Sequence, residues 1–271
     1  MDLLTPIAFA VAVAAVLAAD ILDGGTIRSL INLPAMILVL AGTIGASIMS
    51  VAARDLKAIP GFFAKVLRPQ STSVEQAIDD IAALAEVARR EGFLRLDDAL
   101  LSRHVAPFLQ RGVQLVVDGA DEGRLRMVME QELAIYEARE SSGALFFQTA
   151  GGFAPTLGII GTVVGLVSVL TNLSDVQKLA PSIATAFIAT LWGISSANFF
   201  WLPIGYKIKN ALAHELQARE MIIEGCIAIA AGQNPRLIIE QLAVYKPDRG
   251  KGDRAPGAPG EEQTSPQMIG R

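Results

Sequence analysis

Hydrophobic and polar positions alternate along this chain in long blocks. Four blocks carry no charged residue: Leu3–Ala19, Leu30–Val51, Ala144–Leu170 and Leu179–Gly205. The last two exceed the roughly 20 residues that a helix needs to cross a bilayer, and all four are read as membrane-spanning helices. The first resembles a signal peptide in length, but it lacks a basic leader and a clean small-residue cleavage site, so it is read as a retained helix. Between the second and third blocks the pattern changes to amphipathic. Val74, Ile78, Ile81, Leu84, Ala85 and Ala88 recur at helical spacing over 72–91, with Glu75, Asp79, Asp80 and Glu86 on the rest of the surface. Gly92 supplies a stop signal. Leu96–Leu109 and Leu125–Arg139 read as further helices, the second entered through the turn-like Asp118-Gly119-Ala120-Asp121. Residues 206–231 continue the fourth span as a long helix, which Gly232 and Pro235 are expected to end. From Pro247 onward the chain is proline, glycine and charge, a composition that predicts disorder.

The expected fold class is therefore all-α, a polytopic membrane protein with four transmembrane helices and a helical cytoplasmic domain. Basic residues orient it. Arg54, Lys57, Lys65 and Arg68 follow the second span and Lys207 and Lys209 the fourth, whereas the two short connections hold only Arg28 and Lys178. By the positive-inside rule both termini and the segment 54–143 are cytoplasmic. The expected division is 1–53 for the first two spans, 54–143 for the cytoplasmic domain, 144–205 for the last two spans, 206–246 for a cytoplasmic helix, and 247–271 for the tail.

Composition removes several function classes. The single cysteine, Cys226, leaves no intramolecular disulfide framework and no multi-cysteine metal site. A net charge of −4, with no Lys/Arg stripe interleaved with aromatics, gives no nucleic-acid signal. His104 and His214 stand alone in charged helical segments and read as solvated surface residues. Cys226 sits among Ile222, Ile223, Ile227 and Ile229 and reads as a small buried hydrophobe. No Walker-type lysine or βαβ context accompanies the glycines. No enzyme constellation and no cofactor site is expected.

The spans carry another kind of signal. An ion carrier commonly holds an ionisable group at membrane depth, at roughly 2.5–3.5 kcal/mol on insertion scales. None of the four spans has one, so a partner would have to bring the carboxylate. What this chain offers is small residues, hydroxyls and prolines. Gly151, Gly158 and Gly165 recur every seven residues beside Ala154, Gly161 and Thr162; Ser182, Ala186, Ala189, Thr190, Gly193 and Ala197 form a matching face. Such faces suit packing within the subunit as well as close approach of another backbone. Pro155 cannot donate to the carbonyl of Gly151, and Pro203 leaves that of Phe199 without its usual partner; a freed carbonyl can bind water or an ion, or serve as a hinge. Thr162 lies eight residues before Leu170 and Thr190 eleven after Leu179, at comparable depth. Each hydroxyl could line a path, or bond to its own preceding turn.

In this order the residues resemble the MotA/PomA family of flagellar motor stator subunits, over residues 1–245. The motifs are APTLGIIGTVVGL with Pro155 and Thr162, the TLWG and LPI blocks with Thr190 and Pro203, the charged ARREGFLRLDD, and LVVDGADEG and GQNPR. The sodium-type PomA branch looks closer than the enteric proton-type MotA. The resemblance implies a homopentamer around a dimer of a MotB/PomB-like single-span partner in the bacterial inner membrane. That partner would supply the membrane aspartate and a peptidoglycan-binding domain. It further implies that inward sodium or proton flow turns the ring against the rotor protein FliG. By position, Thr162 and Thr190 would line the ion path, Pro155 and Pro203 would couple passage to movement, and Arg89, Arg90, Asp97 and Asp98 would contact the rotor. Two departures stand out: Leu100 replaces an acidic residue that relatives often carry, and Ala189 precedes Thr190 where some sodium-type relatives have a second threonine. The rival is an ion-driven energiser of the ExbB/TolQ kind, which usually has three spans.

Overall fold

The computed structural model describes residues 4–52, 56, 59–62, 73–103 and 105–246. The tail expected to be disordered, the basic residues Arg54, Lys57, Lys65 and Arg68, and His104 lie outside these. The described residues contain helices and no strand. In chain order the helices are α1 (Leu4–Leu22), the single turn α2 (Ile27–Leu30), α3 (Leu33–Met49), α4 (Val74–Glu91), α5 (Leu96–Ser102), α6 (Pro107–Val117), α7 (Glu122–Thr171), α8 (Val176–Ala230) and α9 (Pro235–Leu242). The protein is an all-α, polytopic membrane protein. By length and composition α7 and α8 can each cross a bilayer, and α1 and α3 are shorter apolar helices.

The amphipathic segment folds as its period dictates. Ser73 caps α4, its hydroxyl accepting from the Gln76 N–H at 3.3 Å, and Ala77, Ile78, Ile81, Leu84 and Ala85 are buried on one face. Gly92 ends the helix with φ +88°, which an L side chain adopts only under strain. The single helix expected over Leu96–Leu109 is instead two. Pro107 has no N–H to give and excludes the helical conformation at the residue before it, so Ala106 is extended (ψ 138°) and Pro107 opens α6 at its first turn. The turn after α6 is as expected: Gly119 takes φ +77°, and Asp121 caps α7 by accepting from the Arg124 N–H at 2.9 Å.

Two expected elements merge into one. Leu125–Arg139 and the span Ala144–Leu170 belong to the same 50-residue helix α7, about 75 Å long at 1.5 Å per residue. The fourth span runs on into its expected continuation as the 55-residue α8. The boundaries drawn at 143/144 and 205/206 therefore fall inside continuous helices. Pro235 starts a helix rather than ending one: Gly232 (φ +65°) stops α8, and Asn234 caps α9 by accepting from the Arg236 N–H.

Two apolar cores hang on these rods. One packs α4, α5, α6 and α9 against the halves of α7 and α8 remote from the spans, around Ile81, Leu84, Leu96, Leu109, Met129, Met221 and Ile229. Cys226 is fully buried there, and burial pushes its thiol up to about 12. His214 is exposed. The second core, where the rods enter the apolar region, joins Phe62, Phe146, Phe147, Ala154, Trp201, Ile204 and Ile208.

Candidate functional site in the α7–α8 seam

The small residues of the two long spans face each other within the chain. Gly151, Ala154, Gly158, Gly161 and Gly165 are buried on α7, and Ala186, Ala189, Gly193 and Ala197 on α8. The approach is backbone to backbone. A Cβ at Gly158 would fall 3.1 Å from the Ala189 carbonyl oxygen and 3.2 Å from Thr190 Cα, and one at Gly193 only 2.7 Å from the Ala154 carbonyl oxygen. Of the two uses open to these faces, packing within the subunit accounts for most positions.

This close seam brings together Thr162 and Thr190, whose hydroxyls hydrogen-bond to each other. The Thr162 hydroxyl also lies 3.2 Å from the carbonyl oxygens of Gly158 and Ala186, and that of Thr190 lies 3.5 Å from the Gly158 carbonyl. Four oxygens thus converge with two hydroxyl protons among them. Each hydroxyl donates once and keeps lone pairs free. Both side chains are half-buried, so the cluster reaches the edge of the seam. Such a cluster can replace part of a cation's hydration shell or hydrogen-bond an incoming carboxyl group. Bonding to the preceding turn, the alternative use, holds for Thr162 only in part, because its other contacts cross to α8.

Towards the end of α7 at Thr171, Ser168 and Ser182 form a second hydroxyl pair, at 3.4 Å. Two ties fix α8 to the α2–α3 turn. Asn32 Nδ2 donates to Thr185 Oγ1 at 2.8 Å while Asn32 Oδ1 accepts from the Ala35 N–H, and Trp192 Nε1 donates to the Leu30 carbonyl at 2.9 Å. Sequence reasoning missed these ties; the Asn-x-Pro pattern at Asn32–Pro34 was the available signal, since asparagine before such a proline suits a helix cap.

The carbonyl that Pro155 frees is level with Pro203. Pro155 lies inside α7, and Gly151, whose carbonyl it leaves free, packs on Leu202, the neighbour of Pro203. Pro203 does not merely break a bond, as expected: a π-helical turn over Ala197–Trp201 precedes it and shifts the hydrogen-bond register. Another π turn spans Ile37–Ala41 in α3. Trp201 packs edge-on to Phe200 with ring centroids 4.9 Å apart, and its Nε1–H is buried without an acceptor among the described residues.

The charged segment is elsewhere, at the α4–α5 junction. Arg90 pairs with Glu86, and Asp98 with Arg95 at 3.0 Å, all exposed. Arg89 and Asp97 have no ion-pair partner among the described residues. Leu100 is buried with 7% exposure beside Leu96 at 0%. Its side chain belongs to the core, and a carboxylate there would be desolvated.

Residues 101–221 match the MotA/TolQ/ExbB proton channel family. Motility protein A of Bacillus subtilis is 33% identical over 91% of this chain and 92% of its own length. The chemotaxis protein PomA of Vibrio alginolyticus is 31% identical, covering 90% and 95%. This chain belongs to the MotA/PomA family of flagellar motor stator subunits. Its fold agrees: the flagellar MotAB stator complex from Bacillus subtilis superposes with a TM-score of 0.82 at 32% identity, covering 91% of this chain and 96% of that one. C. jejuni MotAB gives 0.85 at 27% identity, covering 92% and 97%.

Proposed function

We propose that this MotA/PomA-type chain forms the wall of a stator that works only with a MotB/PomB-like single-span partner. A homopentamer of the chain surrounds a dimer of that partner in the bacterial inner membrane, among its lipids. Inward sodium or proton flow turns the ring, and the charged junction drives FliG. No catalysis is involved; the transported ion is cargo, and no cofactor takes part. The observation carrying this reading is the Thr162–Thr190 oxygen cluster in spans without a single charge. Oxygens can strip and pass an ion, but a carboxylate must come from outside the chain. The two structural relatives described as MotAB support such a partner.

Under this reading α1, α3 and the apolar parts of α7 and α8 are four spans. Lys207 and Lys209 on α8 favour cytoplasmic termini. Pro155, whose freed Gly151 carbonyl is level with Pro203, and Pro203, with the π turn before it, act as the hinge that converts ion passage into a shift of α7 against α8. One charge crossing 100 mV releases about 2.3 kcal/mol, enough for a step of modest cost. Rotor contact through Arg89, Arg90, Asp97 and Asp98 suits repeated release, since exposed pairs contribute only about 0–1 kcal/mol each.

The test is ion flux and motility of Thr190→Ala and Thr190→Ser in the assembled complex, together with flux of the chain alone. Alanine removes the hydroxyl at little cost in volume and is expected to abolish motility while assembly persists; serine retains part of it. Equal swimming of both variants, or selective flux without a partner, would overturn the reading. Swimming speed against external sodium, with and without a protonophore, assigns the ion.

A further inference from the structure

Helix α5 is apolar on two faces. Leu96 and Leu100 point into the core, with 0% and 7% exposure, as one face of an amphipathic helix should. Leu94 and Leu101 are 81% and 85% exposed. Leu94 belongs to the 3-10 turn Phe93–Arg95 that leads directly into α5, and Leu101 follows seven residues later, two turns on, on the same side. Asp97 and Asp98 lie between them on that side, and Phe93 is 40% exposed beside them. Arg95 pairs with Asp98 beside the patch, and Arg89 and Arg90 end the preceding helix α4. A short helix gains nothing for its own fold by presenting two leucines to water. Apolar anchors within a charged rim are the anatomy of a protein interface.

We propose that Leu94 and Leu101 are the apolar anchors of the rotor contact, docking on a rotor-protein surface that offers two apolar pockets flanking a basic group. This rests on the reading of the α4–α5 junction as the rotor-facing segment, and adds to it what holds the partner once charges have brought it in. Charge complementarity selects the occupant. The face reads Leu, Asp-Asp, Leu; Asp98 is already neutralised by Arg95, and Asp97, which has no ion-pair partner among the described residues, suits a cation opposite. The division of labour follows from physics: exposed charges set encounter rate and salt sensitivity, while buried side chains set how long the contact lasts.

The experiment places a photoreactive amino acid at 94 or at 101 in motile cells, and in parallel measures torque for Leu94→Gln, Leu101→Gln and the pair. Both side chains are exposed, so membrane level and partner-dependent ion flux are expected to stay normal. The expected results are cross-links to the rotor protein and at least a tenfold loss of rotor affinity in the double variant. That loss should persist at high salt. Cross-linking to a second copy of this chain instead would make the patch a subunit contact and overturn the proposal. Normal torque in the double variant would also overturn it. Arg89→Glu and Asp97→Lys separate the two levels. If they abolish torque while the leucine variants do not, the rotor reading stands and the anchors fall. If neither set matters, both fall.

Discussion

Gly193→Ala should damage this protein although alanine is the better helix former. A Cβ at Gly193 would lie 2.7 Å from the Ala154 carbonyl oxygen, 2.9 Å from Gly158 Cα and 3.2 Å from Gly158 N. All three are backbone atoms, so no side chain can swing aside and α7 must move away from α8. Ordinary carbon contacts lie at about 3.5–4.0 Å, which sets the required retreat at roughly 0.5–1 Å along this stretch. Overpacking of this kind costs about 1–3 kcal/mol, against a propensity gain near 1 kcal/mol for alanine over glycine. The high end applies because the obstacle is rigid, leaving a net loss of about 1–2 kcal/mol. Retreat also opens the seam where Thr162 meets Thr190, one turn from the contact. Gly152→Ala is the control: it lies on the facing helix α7, near the Ala154 and Gly158 obstacles, but nothing lies within 4 Å of its added Cβ, so only the propensity gain remains. The assay is thermal unfolding of the purified complex together with ion flux in membranes. Gly193→Ala should melt lower and conduct less, while Gly152→Ala should equal or exceed the native protein. If Gly193→Ala matches the native protein in both measurements, the backbone contact is not what holds the seam.

Other outcomes follow from the helical domain outside the apolar spans. With its thiol at about 12, Cys226 is thiolate in only about one molecule in 10⁵ at pH 7, so maleimide labelling should wait for unfolding; rapid labelling of the folded complex would contradict its burial. Desolvation raises the Asp80 carboxyl above its usual value, with Arg103 opposing and Asp79 adding to the rise. The folded state then holds that proton more tightly than the unfolded one, and stability falls as pH rises through the raised value. Asp80→Asn should remove this slope and melt no lower than the native protein at neutral pH; a large loss would mean that the Arg103 pairing outweighs burial. Arg90→Glu should impair torque with insertion and partner assembly intact, and Arg89→Glu and Asp97→Lys should do so more strongly because no neighbour shares their charge; torque indifferent to all three would reduce the segment to a solvated face.

The helices and the seam were legible in the sequence because they rest on period and size, which single residues encode. Gly92 and the Asp118-Gly119-Ala120-Asp121 turn marked their breaks by residue type, and the seven-residue glycine spacing marked a close face; the Ser73 cap was not read in advance. What could not be read was which face met which. Thr162 and Thr190 could be matched in depth from residue counts, yet their contact depends on the rotation of α7 and α8 about their axes, and that is fixed by Gly158 and Gly193 touching backbone to backbone. The division at Pro107 was misjudged because the apolar pattern of Leu96–Leu109 continues across it; the missing N–H outweighed the pattern. The π turn over Ala197–Trp201 has no signature of its own. It lies just before Pro203, which removes a donor, and holds Trp201, whose ring packs on both Phe147 and Phe200. Leu100 shows the same limit from the other direction. Read along the chain it looks like a lost charge in a rotor-facing stretch, but α5 turns position 100 inward beside Leu96, so in this chain the acidic pattern ends at Asp98 for a packing reason. The outward position one residue later is Leu101, and it is there that a rotor contact would be felt.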